Sequence, residues 1–120
     1  MTNKRVLITE GGGFLGHSLM NYLRDKAEKI TILDKLEISN ADLGKEIEFI
    51  QADIRDYKLL RKATEGVEIV IHTCSCQSFF NPRDLYSVNV QGISNTLKAS
   101  EENKVERFIY ICCSCLRNSS

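Results

Sequence analysis

The sequence predicts an α/β fold in which helices cover a doubly wound, mainly parallel sheet of about five strands. Two observations support this prediction: short apolar runs alternate with helical segments, and a glycine-rich loop follows the first of these runs. Strands separated by helices pair in parallel, and right-handed crossovers then place helices on both faces of the sheet. A ligand crevice is expected beside the first strand, where the winding reverses.

Five segments have the composition of buried parallel strands, which are nearly continuous runs of apolar and β-branched residues. They cover residues 5–9, 30–34, 47–51, 68–73 and 107–112. Turn residues or helical patterns separate most of them. The connection over residues 35–46 is polar and shows no clear helical period, so we expect a loop there.

Two longer helices are predicted from apolar residues at helical spacing. The first follows the glycine loop and ends near residue 26, with Phe14, Leu15, Leu19 and Leu23 on its apolar stripe. The other covers residues 84–103, with Val88, Leu97 and Ala99 in its core stripe. Both helices have the length and pattern of crossover connections between parallel strands.

A shorter helix is predicted after the third strand. Asp53 is expected to be its N-cap, because a carboxylate there accepts hydrogen bonds from the first free N–H groups. Its buried side is predicted to contain Leu59, Leu60 and Ala63. Gly66 follows at a position where a left-handed cap is favoured.

The composition excludes several classes of protein. Sixteen basic and sixteen acidic residues cancel, so the chain lacks the basic surface that a nucleic-acid partner requires. No apolar run approaches the ~18 residues of a membrane span, and no signal sequence is recognised. We therefore expect a cytoplasmic protein, or one on the cytosolic face of a membrane. The sequence stops directly after the fifth predicted strand, where a complete doubly wound domain has a sixth. Residues 1–120 are thus expected to form an incomplete domain of this fold, with no second domain.

The glycine loop is the first candidate site. Gly11, Gly13 and Gly16 satisfy the pattern G-x-G-x-x-G, and they stand between a predicted strand and a predicted helix. Glycines allow the backbone to approach a pyrophosphate, and the free N–H groups of the helix start point towards it. Phe14 and Leu15 lie inside the same loop. The pattern predicts a bound dinucleotide of the Rossmann type, whereas a plain strand-to-helix turn is the alternative.

Acidic residues after the next two strands extend this site. Asp34 ends the second strand, where a carboxylate accepts both hydroxyls of an adenine ribose and repels a 2′-phosphate. NAD is therefore expected rather than NADP, although Lys35 weakens that preference. Asp53 and Ile54 follow the third strand, where they are expected at the adenine. The alternative places Asp53 as a helix cap and Ile54 in the core.

The residues around this loop resemble a known family. Residues 6–16, together with 53–56 and 89–92, resemble extended short-chain dehydrogenases/reductases. Residues 70–73 and 108–110 are similar to the 3β-hydroxysteroid dehydrogenase/isomerase branch. The resemblance implies NAD-dependent oxidation of a hydroxyl group on a sterol-like substrate, with Tyr and Lys in a Tyr-x-x-x-Lys motif as the base.

The sequence departs from the family pattern at the residues that carry chemistry. Glu10 stands where the family has a glycine, and a carboxylate beside a pyrophosphate is electrostatically unfavourable. The catalytic Ser or Thr of the family aligns with Cys113, and Ser114 follows. The Tyr-x-x-x-Lys match at Tyr22 and Lys26 lies on the first helix, far from the expected crevice. We therefore expect the 120-residue chain not to turn over substrate.

Two alternatives stay open beside this interpretation. The first is a non-catalytic nucleotide-binding protein, such as a truncated isoform or a decayed gene copy, which the altered glycine position favours. The second is a thiol-rich metal or redox protein. Its candidate ligands follow the fourth and fifth strands and are Cys74, Cys76, Cys112, Cys113 and Cys115. Their spacing is not that of a known zinc site and neither cluster contains a histidine, so reduced thiols packed as small apolar groups are also consistent with the sequence.

Overall fold

The computed structural model describes residues 4–10, 14–35, 47–74 and 90–112, and these form five strands and three helices. In chain order they are β1 (Arg5–Thr9), α1 (Phe14–Leu23), β2 (Lys29–Asp34), β3 (Ile47–Gln51), α2 (Tyr57–Ala63), β4 (Ile69–Cys74), α3 (Gly92–Glu102) and β5 (Arg107–Cys112). Each strand agrees with its predicted range to within one residue. None of the helices in these ranges is long and apolar enough to cross a membrane.

The five strands form one parallel sheet in the order β3-β2-β1-β4-β5. From β1 the chain adds strands on one side as far as β3, and it then returns to add β4 and β5 on the other side. The winding therefore reverses at β1, which pairs with β2 and with β4. This arrangement confirms the predicted doubly wound fold and places a crevice at the carboxyl ends of β1 and β4.

Alternate residues of the strands supply two separate apolar cores, one on each face of the sheet. The core on the α1 face contains Val6, Ile8, Met20, Leu23, Ile30, Ile32, Ile47, Ile69 and Ile71. The core on the face of α2 and α3 contains Leu7, Leu33, Ala52, Ile54, Leu60, Val67, Val70 and Ala99. Because β1, β2 and β4 are apolar at successive positions, they bury side chains on both faces, as central parallel strands do.

Helix α1 ends at Leu23, three residues before its predicted end. The N–H groups of Lys26 and Ala27 both donate to the Leu23 carbonyl at 2.9 Å, which closes the helix with a turn. The N–H of Glu28 then donates to the carbonyl of Lys4, just before β1. The helix therefore runs from the carboxyl end of β1 back to its amino end, and β2 starts there.

The second helix differs from the prediction at both its start and its buried face. Asp56, not Asp53, is the N-cap, and its carboxylate accepts a hydrogen bond from the N–H of Leu59. Leu59 is 39% exposed, contrary to expectation, whereas Leu60 is fully buried. Because the helix has only seven residues, the face that contacts the sheet is narrow. Leu59 lies outside that face. Gly66 has the expected positive φ of 76°.

Helix α3 packs through a stripe of small residues rather than large apolar ones. Its buried residues are Gly92, Thr96, Ala99 and Ser100, and the two hydroxyls donate to carbonyls one turn earlier in the helix. The prediction that Ala99 lies in the core is confirmed. The prediction for Leu97 is wrong, because its side chain is 46% exposed. A helix that lies this close to its neighbours has room only for small side chains. Residues 84–89 of the predicted helix, including Val88, lie outside the described residues.

The closest approach of α3 to the rest of the fold is at its first residue. A Cβ added to Gly92 would lie 2.4 Å from Cδ1 and 2.7 Å from Cγ1 of Ile54. Ile54 is 3% exposed and belongs to the core on that face, so its side chain has little space to move. Glycine at this position therefore sets how closely α3 lies against the turn after β3.

We expect Gly92→Ala to destabilise the protein in spite of the higher helix propensity of alanine. Overpacking costs typically about 1–3 kcal/mol, while the propensity gain is about 1 kcal/mol. The net loss should be visible as a lower midpoint of chemical denaturation. Ser94→Ala, on the exposed side of the same helix, is the matched control and should leave the midpoint nearly unchanged.

The double variant Gly92→Ala/Ile54→Ala tests the mechanism of this loss. Truncation of Ile54 removes the two atoms that the new methyl group would meet. The combined loss should then be smaller than the sum of the two single losses. Additive losses would show that Gly92 acts through backbone conformation instead of close packing.

The N-cap of α2 provides a second test. Asp56→Ala should lower the free energy of unfolding by about 1 kcal/mol, because it removes the acceptor for a free N–H of the first turn. Asp56→Asn keeps an acceptor and should retain most of the stability. Lys58→Ala on the exposed surface of the helix controls for the loss of a polar side chain. Equal denaturation midpoints for the Ala and Asn variants would contradict the capping role.

Candidate functional site

The candidate site lies at the carboxyl ends of the strands, on the side where α1 begins. Phe14, Leu15 and Gly16 form the first turn of α1, in which Gly16 is buried and Leu15 is half-buried. The free N–H groups of such a turn carry partial positive charge and attract anions. Gly11 and Gly13 lie outside the described residues. The described part of the predicted loop therefore places a helix start at the crevice.

Glu10 connects β1 to the glycine loop in a left-handed backbone conformation, with φ of 58°. Its N–H donates to the Leu33 carbonyl of β2 at 2.6 Å. Its own carbonyl accepts from the hydroxyl of Thr73 in β4 at 3.3 Å. Residues with a Cβ adopt this conformation at a cost of roughly 1–2 kcal/mol, whereas glycine adopts it freely. The geometry thus explains why a glycine suits this position and shows that Glu10 occupies it under strain.

The side chain of Glu10 is in an unfavourable environment for a negative charge. Burial raises its pKa to about 7, and the nearby carboxylates of Asp34 and Asp53 act in the same direction. Lys35 opposes the shift with its positive charge. A substantial fraction of Glu10 is therefore protonated near neutral pH, so the carboxyl group there is both a possible donor and a possible acceptor.

Asp34 is placed as the sequence predicted, at the last position of β2. It is half-buried, and its carbonyl accepts from the N–H of Ala52 at 2.9 Å, which ties β2 to the turn after β3. Lys35 follows and is exposed. The acidic side chain therefore stands beside Glu10 at the edge of the crevice.

Asp53 forms a compact ion pair with Arg55. Its Oδ1 accepts from the N–H and Nε of Arg55 at 2.9 and 3.0 Å, and its Oδ2 accepts from Nη2 at 2.7 Å. These bonds hold the pKa of Asp53 below its usual range, although partial burial opposes the shift. The carboxylate of Asp53 therefore stabilises the turn before α2. The prediction that it caps the helix is wrong, since Asp56 is the N-cap.

Asn95 was not identified from the sequence, yet it fixes the turn that contains Ile54. Its side-chain amide donates to the carbonyls of Ile54 and Arg55 at 3.3 and 3.1 Å. Asn95 lies one helical turn after Gly92, on the side of α3 that faces this turn. The only sequence signal for this role of Asn95 is its position three residues after Gly92. Asn89, the first residue of the 89–92 stretch that resembles the family, lies outside the described residues.

His72 is a buried structural residue of β4. Its Nδ1 is 2.7 Å from the hydroxyl of Thr9, and its ring stacks against Phe108 and Tyr110 of β5 at centroid distances of 6.2 and 5.7 Å. Burial lowers its pKa to about 4, so the ring is neutral at physiological pH. His72 therefore serves the strand pairing and not proton transfer.

Cys74 and Cys112 lie at the carboxyl ends of their strands, whereas the formal Tyr-x-x-x-Lys match lies at the opposite end of the fold. Cys74 and Cys112 are register partners at the carboxyl ends of β4 and β5, whereas Cys76, Cys113, Ser114 and Cys115 lie outside the described residues. Within the described ranges no three potential metal ligands form a cluster. Lys26 lies 4.2 Å from the ring centroid of Tyr22 at the far end of α1, away from the crevice as expected.

Comparison with known proteins connects this geometry with a family. Residues 7–116 match the 3-beta hydroxysteroid dehydrogenase/isomerase family. Short-chain dehydrogenase/reductase family 42E member 1 of Danio rerio is 35% identical over 108 residues, which are 87% of this chain and 28% of that protein. The 3 beta-hydroxysteroid dehydrogenase/Delta 5→4-isomerase of Mycobacterium tuberculosis is 29% identical over 114 residues, which are 88% of this chain and 30% of that protein.

The fold is shared with a solved structure. The enzyme WbmG of Bordetella bronchiseptica, solved in complex with NAD, superposes with a TM-score of 0.81 at 24% sequence identity. The superposition covers 91% of this chain and 37% of WbmG. The chain thus spans about a third of the length of the proteins that it matches. Because the family match extends over most of the sequence, the chain belongs to the 3-beta hydroxysteroid dehydrogenase/isomerase family of short-chain dehydrogenases/reductases.

Proposed function

We propose that this chain is the NAD-binding part of an oxidoreductase that acts on the CH–OH group of a sterol-like substrate. The observation that carries the proposal is the position of Asp34 at the end of β2, beside the strand at which the winding of the sheet reverses. The family membership supports the oxidoreductase class, and the NAD complex of WbmG supports the cofactor. Bound NAD would supply the acceptor for the hydride of the alcohol carbon.

The described residues fit a dinucleotide at three points. The start of α1 offers N–H groups to the pyrophosphate, after a loop that contains Gly11 and Gly13. The carboxylate of Asp34 suits the hydroxyls of the adenine ribose. The turn at Asp53 and Ile54 borders the crevice where the adenine is expected.

The side chain of Ile54 packs into the core, so a contact of this residue with the adenine would come from its backbone. The carboxylate of Asp53 is engaged by Arg55, and an adenine amino group would share its oxygens with that guanidinium. Both residues remain proposed binding residues, with roles that differ from the side-chain contacts that the sequence suggested. The ion pair keeps Asp53 negatively charged and oriented, which favours recognition of a hydrogen-bond donor.

The proposed substrate-binding residues are Cys113 and Ser114, which align with the family's Ser or Thr after the fifth strand. A hydroxyl at this place donates a hydrogen bond to the substrate oxygen, and a thiol is a weaker donor. Ser114 is therefore the better donor of the two. A non-catalytic nucleotide-binding role is the second candidate, and the strained Glu10 favours it because the carboxyl group stands where the family has glycine.

We expect the chain to bind NAD⁺ more tightly than NADP⁺ in isothermal titration calorimetry. Asp34→Ser should reduce this preference by about tenfold or more, because it removes the acceptor for the ribose hydroxyls and the repulsion of the 2′-phosphate. Asp25→Ser, in the exposed turn after α1, removes the same charge away from the crevice and should keep the preference. Equal affinity of the wild-type chain for both nucleotides would overturn the role of Asp34.

A further inference from the structure

Glu10 stands at the point where three strands meet, and its backbone is held on both sides. The hydrogen bond to the Leu33 carbonyl connects it to β2, and the hydroxyl of Thr73 connects it to β4. Thr73 also donates to the Thr9 carbonyl at 2.9 Å, which secures the end of β1. These hydrogen bonds fix the backbone from which the Glu10 side chain extends. The backbone cannot move away from the crevice without breaking them.

Two carboxylates, of Asp34 and Asp53, oppose the ionisation of Glu10, and the ammonium group of Lys35 favours it. β2 contributes Asp34 and Lys35, and the turn before α2 contributes Asp53 with its partner Arg55. On the β4 side, Thr73 is uncharged and His72 is buried, bonded to Thr9 and neutral. The carboxylate of Asp34 has Lys35 beside it, and that of Asp53 has Arg55. An ionised Glu10 would be a third carboxylate in a partly buried place.

A dinucleotide would bring additional negative charge to the same place. The glycine loop begins directly after Glu10, and the start of α1 is where the pyrophosphate is expected. An ionised carboxylate that borders this position would repel the phosphate oxygens. A neutral carboxylic acid would instead offer an O–H that can donate to an oxygen of the nucleotide.

We propose that Glu10 binds the dinucleotide as a neutral carboxylic acid, so that nucleotide binding is coupled to the uptake of a proton at this side chain. This inference rests on the proposed nucleotide-binding function and assigns the residue that makes binding depend on pH. It makes Glu10 a nucleotide-binding residue, because affinity then depends on a donor that glycine at this position does not provide.

The direction of the pH dependence follows from the charge states. The pKa of Glu10 lies at about 7 in the free chain, and the anionic ligand would raise it further in the complex. Above pH 7 most free chains must then take up a proton in order to bind, so the dissociation constant increases with pH. Below pH 6 the residue is already largely neutral and the dependence disappears.

The test is isothermal titration calorimetry of the full chain with NAD⁺ between pH 6 and pH 8, in two buffers that differ in ionisation enthalpy. For the wild-type chain we expect the dissociation constant to be roughly tenfold larger at pH 8 than at pH 6. Glu10→Gln keeps a hydrogen-bond donor and has no charge, so its affinity should be independent of pH. The two buffers should report proton uptake by the wild type at pH 8 and none by Glu10→Gln.

Glu10→Gly separates proton uptake from simple repulsion. This variant removes the charge, the donor and the backbone strain together, and its affinity should also be independent of pH. If neutral Glu10 donates to the nucleotide, wild type at pH 6 should bind at least as tightly as Glu10→Gly. Much weaker binding by the wild type at pH 6 than by Glu10→Gly would overturn the donor role.

Two further variants identify the titrating group. His17 lies exposed on α1, the helix that begins at the crevice. His17→Asn should keep the wild-type pH dependence, as should Glu48→Gln, which removes a carboxyl group from the distant pair with Lys29. Loss of the pH dependence in His17→Asn, or its persistence in Glu10→Gln, would overturn the proposal.

The outcomes also distinguish this inference from the proposed function. Binding of NAD⁺ by the wild type with a constant affinity from pH 6 to pH 8 would refute proton coupling and leave the nucleotide-binding function intact. Absence of NAD⁺ binding at every pH by the wild type, Glu10→Gln and Glu10→Gly would overturn both.

Discussion

The pairing of β1 with a strand on each side is the constraint on which the site depends. β1 is parallel to β2 and β4, so the carboxyl ends of all three strands meet at one edge of the sheet. The chain leaves β1 for β2 in one direction and returns to β4 in the other, which opens a crevice between the two connections. Residues distant in sequence, such as Glu10, Asp34 and Thr73, become neighbours only through this topology.

The same pairing determines how polar groups are tolerated at the centre of the sheet. Thr9 and His72 are register partners, so the threonine hydroxyl meets the imidazole nitrogen at 2.7 Å. The hydroxyl of Thr73 donates a hydrogen bond to the Thr9 carbonyl at the end of β1. Among the described residues, no buried side-chain nitrogen or oxygen lacks a hydrogen-bond partner. A polar group buried without one would cost roughly 1–3 kcal/mol, so these contacts stabilise the crevice as well as shaping it.

Glu10 shows how a single residue can alter a shared geometry without altering the fold. Its left-handed conformation is that of the glycine expected at the end of β1, and the hydrogen bonds to β2 and β4 keep the backbone there. The strain is small compared with the burial of two apolar cores, so the strand and the following helix are retained. Glu10 alters the charge at the crevice, because it adds a carboxyl group there. Burial and the carboxylates of Asp34 and Asp53 oppose the ionisation of that group.

The positions of the strands were determined by the sequence itself, because a central parallel strand must be apolar at successive positions. Asp34 was predictable for the same reason, since its place at the end of β2 is a matter of spacing along the chain. Which residues of a short helix are buried depends on partners in space, and Leu59 and Leu97 were therefore assigned wrongly. Asn95 was missed because its contacts with the Ile54 turn join distant segments.

The cap of α2 and the environment of Glu10 also depended on the tertiary structure. Asp53 and Asp56 are both suitable caps by residue type, and only the pairing of Asp53 with Arg55 leaves the cap position to Asp56. The sequence showed that Glu10 departs from the family pattern. Its burial, its left-handed backbone and its nearness to Asp34 and Asp53 were decided by the fold, because they require β1, β2 and the turn after β3 to meet at one edge of the sheet.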